Sequence, residues 1–367
     1  MNLKQEYLKR LENTRSKMAR ENIDLLLVTP GPNLRYLSGY KAKNLERLTC
    51  LAIDSHQNLK MIVPSLEKLS AEKAGVQELG IEIVTWNEDE NPYEKLSEIS
   101  TGKQISIDGS MNAAKVLNIQ HQFDGSLFSN ADELLSDLRS IKSAYEISQL
   151  ELAGKYIDEV HSQIAEIFET GDTEKSLAKK IHNLIVEVGH DSVDFVIVAS
   201  GINSASPHHE PTDKEIVSGD VLLIDIGGTT PSGYCSDCTR MYCIGKIDSE
   251  FKDKYEILRQ AQESAISKVS TKITAAGLDS VSRTYLEKHN LGEYFIHRTG
   301  HGIGLETHEE PYIVSTNEKF LEDGQAFSIE PGFYIEKQFG ARIEDIVVKN
   351  GEDTLICNKN TKDIVVI

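Results

Sequence analysis

The sequence predicts an α/β domain followed by an α+β domain, and three observations carry that reading. Early in the chain, short apolar runs alternate with helical ones, from Leu25-Leu26-Leu27-Val28 through Leu51-Ala52-Ile53 and Met61-Ile62-Val63 to Ile105-Ser106-Ile107. That rhythm belongs to a central sheet with helices against it. From Ala131 the pattern turns helical, with Ile147, Leu150, Ala153, Ile157, Val160, Ile164 and Ile167 repeating every three or four residues along one apolar face. Strand-like segments then return, and they carry nearly every acidic and histidine residue found in apolar, glycine-punctuated surroundings. The boundary is placed before the long helix, giving domains 1–131 and 132–367. With 367 residues and 39% hydrophobic content, each can bury a core.

Taken in order, the opening charged helix sets Leu8, Leu11 and Met18 on one face and ends at Asn22-Ile23-Asp24. A helix is expected at 66–74, a strand at Ile83-Val84 and a helix at 112–117. In the second domain a helix over 173–188 precedes the strand Phe195-Val196-Ile197-Val198, the Pro207-His208-His209-Glu210-Pro211 loop and a strand at 221–226. Helices at 250–269 and 278–288 follow, then strands at 326–329, 333–336 and 343–348.

The net charge of -19, from 58 acidic and 39 basic residues, argues against nucleic acid or an anionic membrane as partner. Neither a leader-like start nor an apolar run near the roughly 20 residues of a membrane span is seen, so a cytoplasmic protein is expected. Five cysteines, an odd number, do not suggest a disulfide framework. Cys235 and Cys238 have C-x-x-C spacing but lack the second pair of a zinc ribbon and the helix start of a redox motif. If that segment is extended, Cys235 shares a face with Asp237.

Residues 297–311, His-Arg-Thr-Gly-His-Gly-Ile-Gly-Leu-Glu-Thr-His-Glu-Glu-Pro, read as a site. Gly300, Gly302 and Gly304 would leave the backbone open to a ligand. Asp225, Asp237, Glu330 and Glu344 lie in apolar strand-like runs, where burial is unfavourable unless something positive joins them. With His301 they form an oxygen-rich set suited to Mn²⁺, Co²⁺, Fe²⁺ or Zn²⁺. Four carboxylates exceed what one ion needs, so two are expected, sharing a bridging water that attacks a carbonyl. Asp345 and Glu309 are taken as solvent-facing or supporting groups.

These residues resemble a known family. The run from Asp225 through Gly233-Tyr234-Cys235-Ser236-Asp237 to Thr239-Arg240 carries part of the likeness, as do Gly300 to Leu305 with His308-Glu309 and Pro311. Glu330-Pro331-Gly332 and Arg342-Ile343-Glu344-Asp345 complete it. Together they resemble the pita-bread metallopeptidases, and more narrowly an Xaa-Pro dipeptidase (prolidase) or Xaa-Pro aminopeptidase. Asn33, Tyr36-Leu37-Ser38-Gly39 and Arg47 resemble the creatinase-type N-terminal domain of such enzymes.

The resemblance implies an α/β N-terminal domain, an α+β pita-bread catalytic domain, and Asp225, Asp237, His301, Glu330 and Glu344 as ligands of two divalent ions, with manganese first in expectation. Glu330 would also shuttle the proton. His208, His297, His308 and Arg342 match positions around metal and substrate, with His308 stabilising the oxyanion and His208 donating to the scissile nitrogen. A proline amide nitrogen bears no hydrogen and leaves poorly until protonated. The implied substrate is a small peptide with proline second, cleaved through a metal-bridging hydroxide in a homodimeric enzyme.

Two features depart from the family pattern. An extra residue falls between the aspartates, expected in a 227–231 loop, and Met241 follows Thr239-Arg240. An aminopeptidase acting on longer peptides is the main alternative, since a dipeptidase needs a carboxylate-binding arginine and Arg35, Arg47 and Arg298 are all candidates. A creatinase-like amidinohydrolase or a pseudopeptidase binding module would lack the ligand set.

Overall fold

The computed structural model describes residues 3–55, 58–100 and 102–367. They fall into two units, the first ending at Arg139 and the second beginning at Ser140. In the first unit the apolar runs form six strands: β1 Leu25–Val28, β2 Cys50–Asp54, β3 Leu59–Pro64, β4 Glu82–Trp86, β5 Gln104–Ile107 and β6 Leu127–Asn130. The sheet order is β4-β3-β2-β1-β5-β6, antiparallel about β2 and parallel elsewhere. Leu25, Leu27, Ile62, Ile105 and Ile119 are among the residues of its core.

The opening helix is Leu3–Glu21, with Leu11 and Met18 buried, but Leu8 is 42% exposed. At 100° per residue, positions 11 and 18 lie about 20° apart while position 8 stands about 60° from position 11, off the buried stripe. The 66–74 helix begins as a 3₁₀ turn, Ser65–Glu67, before Lys68–Lys73, and leaves Leu66 and Leu69 exposed. Asn112 caps the helix Ala113–Gln122, which is longer than the sequence marks. The helices Pro32–Ser38 and Pro92–Ser97 and the strand β6 are additions to the sequence reading.

The separate helix Asp132–Ser140 closes the first unit, and in the second the long helix is Ala144–Ile167, started by a Ser143/Glu146 capping box. The helix Glu174–Glu187 follows, capped by Thr173. Then come β7 Ser192–Ser200, β8 Val221–Thr229 and β9 Cys235–Cys243, and, after the helices Ser249–Ile266 and Ala275–Lys288, β10 Gly300–Gly302 and β11 Glu309–Ile313. The chain ends with β12 Ala326–Ile329, β13 Gly332–Ile335, β14 Phe339–Arg342, β15 Asp345–Asn350, β16 Asp353–Ile356 and β17 Val365–Val366. One sheet is β17-β9-β8-β7, another β11-β10-β12-β15-β16, and β13 and β14 form a hairpin.

Side chains alternate across a strand, and that alternation places the acids. Leu222, Ile224 and Ile226 of β8 and Cys238 and Tyr242 of β9 join the core formed with Ile157, Val160, Leu177 and Ile181 of the two helices. Leu223 and Met241 point the other way, into a core with Phe251, Leu258 and Phe333. Asp225 and Asp237 fall on that second face.

The 227–231 segment, expected as a loop, is strand as far as Thr229. β8 runs on to Thr229, with Gly227 opposite Asp237 and Thr229 opposite Cys235 in unbroken register. A register irregularity does occur in β7, between Val193 and Phe195, at Asp194. There Phe195 packs so closely that a Cβ on Gly227 would sit 2.5 Å from its ring. The expected strand over 343–348 also divides, because residues 343 and 344 fall between β14 and β15.

Candidate metal centre

Asp225 and Asp237 come together through β8 and β9. Asp237 pairs across with Gly227, two residues from Asp225 on the same face, while Thr239 stands opposite Asp225. Glu330 and Glu344 come together through the hairpin. Gly332 pairs with Arg342, and on the other side Ile329 pairs with Asp345. One continuous register therefore sets Glu330 opposite Glu344, where the chain leaves and re-enters the five-stranded sheet.

His301 enters from β10. Gly300 and Gly302 do serve close approach, but to neighbouring strands and not to a ligand. An added Cβ would lie 1.9 Å from the Ser328 carbonyl oxygen at Gly300 and 2.3 Å from that of Glu310 at Gly302. The helix Ala275–Lys288 steadies the approach. Asp279 accepts from the Thr299 amide and hydroxyl, and Arg283 donates to Asp279 and to the His297 carbonyl.

Ligand atoms of Asp225, Asp237 and Glu344 lie within 4.8 Å of one another, as do those of His301, Glu330 and Glu344. Glu344 belongs to both groups. A third group joins Asp237, His301 and His308. His301 Nε2 stands 3.2 Å from Glu330 Oε1 and 3.7 Å from Asp237 Oδ2, while Nδ1 lies 3.1 Å from the Gly302 carbonyl. If Nδ1–H donates to that carbonyl, the Nε2 lone pair faces the carboxylates. Such an arrangement calls for a cation between them.

The donor set fits divalent metal. Asp225 is buried, and its Oδ1 finds no hydrogen-bond partner among the described residues. Burial first, then the neighbouring carboxylates, push Asp237 and Glu344 well above the usual carboxylate range. Burial also raises Glu330, but where His301 instead turns an Nε2–H toward it, hydrogen bond and charge hold it down at about 2. Hard oxygen donors with one imidazole suit borderline divalent ions.

Around this cluster Arg342 uses its whole fork. It donates to Asp225 Oδ2 at 2.6 Å, to Thr239 Oγ1 at 3.0 Å, to the Tyr334 hydroxyl at 2.7 Å and to the Pro207 carbonyl at 3.2 Å. Thr239 in turn donates to Glu344 Oε2, and Ser328 to Glu330 Oε1. Tyr334, absent from the sequence reading, also lies 2.9 Å from His297 Nε2. Burial pushes its phenol up to about 12 and the His297 imidazole down to about 4. His297 is thus held between Tyr334 and the Arg298 carbonyl, 2.7 Å from Nδ1.

Asp345 and Glu309 are both buried, so neither faces solvent. Asp345 pairs with Arg240 at 2.7 Å and Lys362 at 2.6 Å, and Arg240 donates to the Glu344 carbonyl. Glu309 pairs with Lys142 at 2.5 Å. Cys235 and Cys238 are also buried, with free thiols pushed up by desolvation.

A cavity of about 730 Å³ opens on the cluster, lined by Phe195, Val196 and Ile197 on an apolar side and by His208, Arg298 and His308 among its polar groups. His308 is exposed there, its ring 4.1 Å from that of His301, and partial desolvation pushes it down to about 4. The structure thus brings all nine sequence-predicted site residues to one cavity.

Residues 148–350 match Metallopeptidase family M24, and residues 10–141 match the Creatinase/Prolidase N-terminal domain. The chain is 39% identical over 363 residues to a probable dipeptidase PepE of Mycobacterium bovis, covering 98% of this chain and 96% of that one. It is 34% identical over 342 residues to the Xaa-Pro dipeptidase of Pyrococcus horikoshii, covering 92% and 94%. The crystal structure of dipeptidase PepE from Mycobacterium ulcerans superposes with a TM-score of 0.93 at 38% identity, covering 100% of this chain and 99% of that one. The expected α/β N-terminal domain and α+β pita-bread catalytic domain are borne out, and the chain belongs to metallopeptidase family M24.

Proposed function

We propose that this peptidase is an Xaa-Pro dipeptidase working with two divalent ions, manganese first among them, held by Asp225, Asp237, His301, Glu330 and Glu344. The observation that carries the proposal is the convergence of those five side chains on one cavity, with a buried Asp225 oxygen unpartnered among the described residues. Bound there, the ions would generate a nucleophile from water at neutral pH and polarise the scissile carbonyl.

The chain's own residues do the rest. Glu330 accepts the water proton and passes it on. His308 donates to the oxygen of the carbonyl as it becomes tetrahedral. His208 protonates the proline nitrogen, which carries no hydrogen of its own and leaves poorly otherwise. Phe195, Val196 and Ile197 offer an apolar wall to the proline ring. Arg342 and Tyr334 keep Asp225 and His297 oriented.

Among the three candidate arginines, Arg298 lines the cavity with its guanidinium 4.5 Å over the Tyr312 ring. It would anchor the substrate carboxylate. A homodimer in the cytoplasm is part of the proposal, supported by the resemblance and by the sequence composition. Among the described residues no helix is long and apolar enough to cross a membrane.

The test uses metal-stripped protein resupplied with Mn²⁺ and compares an Xaa-Pro dipeptide with an Xaa-Pro-Yaa tripeptide. Cleavage confined to the dipeptide is expected. Preference for the tripeptide would make the protein an aminopeptidase, and no metal-dependent cleavage of either would overturn the proposal.

A further inference from the structure

Glu174 is the first residue of the helix Glu174–Glu187 and is 0% exposed. A lone buried carboxylate is unfavourable unless donors surround it, and those around Glu174 come from one stretch of chain. Oε1 accepts from the Ser200 amide at 2.7 Å, the Ser200 hydroxyl at 2.8 Å and Asn203 Nδ2 at 3.0 Å. Oε2 accepts from His209 Nε2 at 2.8 Å, the Thr212 amide at 3.0 Å and the Thr212 hydroxyl at 2.7 Å. Lys214 extends the network by donating to the Ser200 hydroxyl.

These donors bracket the Pro207-His208-His209-Glu210-Pro211 loop, which belongs to no helix or strand. It is held separately by Arg342 at the Pro207 carbonyl, and the 3₁₀ turn Gly201–Ala205 that leads into it by the Gly340 amide donating to Ser204 Oγ. His208, between these holds, lines the cavity. A loop gains precision only from what fixes it, and here one carboxylate fixes Asn203, His209 and Thr212 together.

We propose that Glu174 is a positioning residue for the Xaa-Pro reaction, fixing the 203–212 loop so that His208 meets the scissile nitrogen. It touches neither substrate nor metal and acts through His209, Thr212 and Asn203. The proposal rests on the proton-donor role given above to His208. A glutamine in its place would keep the shape but turn an amide NH₂ toward the backbone N–H of either Ser200 or Thr212, which can only donate, so at least that hydrogen bond is lost and the loop is held less tightly.

The experiment compares the full-length wild type with Glu174→Gln, His208→Ala, the double variant, and His209→Ala as a second way to loosen the loop. Metal content and amide hydrogen exchange are read beside turnover. Glu174→Gln should speed exchange across 203–212 roughly tenfold or more while residues 177–187 stay protected. It should also lower kcat for an Xaa-Pro dipeptide roughly tenfold or more at unchanged metal content and with KM little altered. The double variant should be no slower than His208→Ala alone, because a misplaced donor and a missing donor are the same defect.

Losses that multiply in the double variant, or exchange unchanged in both loop variants, would overturn the proposal. If His208→Ala turns over as wild type does, the donor role of His208 fails, while the exchange comparison still decides whether Glu174 holds the loop.

Discussion

Two sets of buried carboxylates lie in the second unit, and they are solvated in opposite ways. Glu174 is surrounded by donors from Ser200, Asn203, His209 and Thr212, and although burial alone would raise it, those bonds hold it at about 2. Asp237 and Glu344 face other carboxylates and are driven well above the ordinary range. Burial is shared, so donor supply makes the difference. A carboxylate that the fold has satisfied is structural, and a cluster left short of positive charge is built for a ligand that brings it.

The sharpest break in that comparison comes from removing a carboxylate of the cluster, with a neighbouring histidine as the contrast. Asp237→Ala should abolish peptide hydrolysis, by roughly three orders of magnitude or more, with the fold intact by circular dichroism. Near-normal turnover would sink the ligand assignment. His308→Ala should also slow turnover, but far more than it lowers metal content. Equal losses of both would mean that His308 serves the metal and not the substrate.

Acid stability separates the two sets next. Glu174 has a folded pKa below its ordinary 4.5, so its contribution is fully present above about 4.5 and is lost as pH falls through about 2. Relative to Glu174→Gln, the wild type should gain stability on the order of 2–3 kcal/mol near neutral pH, shrinking toward zero near pH 2. Urea unfolding at a series of pH values would measure this. A gap that stayed constant with pH would show that shape and not charge makes the difference.

Metal should act on one set only. At a hundredfold excess over Kd, Mn²⁺ should stabilise the stripped protein by about 2.7 kcal/mol. Glu174→Gln should keep that increment and Asp225→Asn should lose much of it. Thermal unfolding with and without Mn²⁺ reads both, and an equal increment in the two variants would erase the distinction.

The cavity acids were legible in sequence because each stands in an apolar run where an unpaired charge has no business, and because His301 sits among glycines. Those glycines had a different cause, since neighbouring backbone fills the space a Cβ would need at Gly300 and Gly302. Glu174 was illegible because its donors are ordinary residue types lying 26 to 38 positions away. Tyr334 was nearer to being readable. In an antiparallel hairpin that pairs Gly332 with Arg342 and Tyr334 with Gly340, Tyr334 and Arg342 share a face. Leu8 failed for a geometric reason, an apolar residue about 60° off the stripe that Leu11 and Met18 define.

The same contrast recurs, more weakly, between two arginines. Arg342 spends its fork on Asp225, Thr239, Tyr334 and Pro207, and so has little left for a substrate. Arg298 lies over Tyr312, and among the described residues its guanidinium makes no hydrogen bond or ion pair. A planar fork left open toward a cavity is suited to a carboxylate. Arg298→Met keeps much of the stem and removes the fork, so KM for an Xaa-Pro dipeptide should rise roughly tenfold while kcat changes little. An Xaa-Pro amide, which has no carboxylate to lose, should be cleaved equally by both proteins. If the amide suffers as much as the dipeptide, Arg298 shapes the cavity without reading the substrate's end, and the dipeptidase must find its anchor elsewhere.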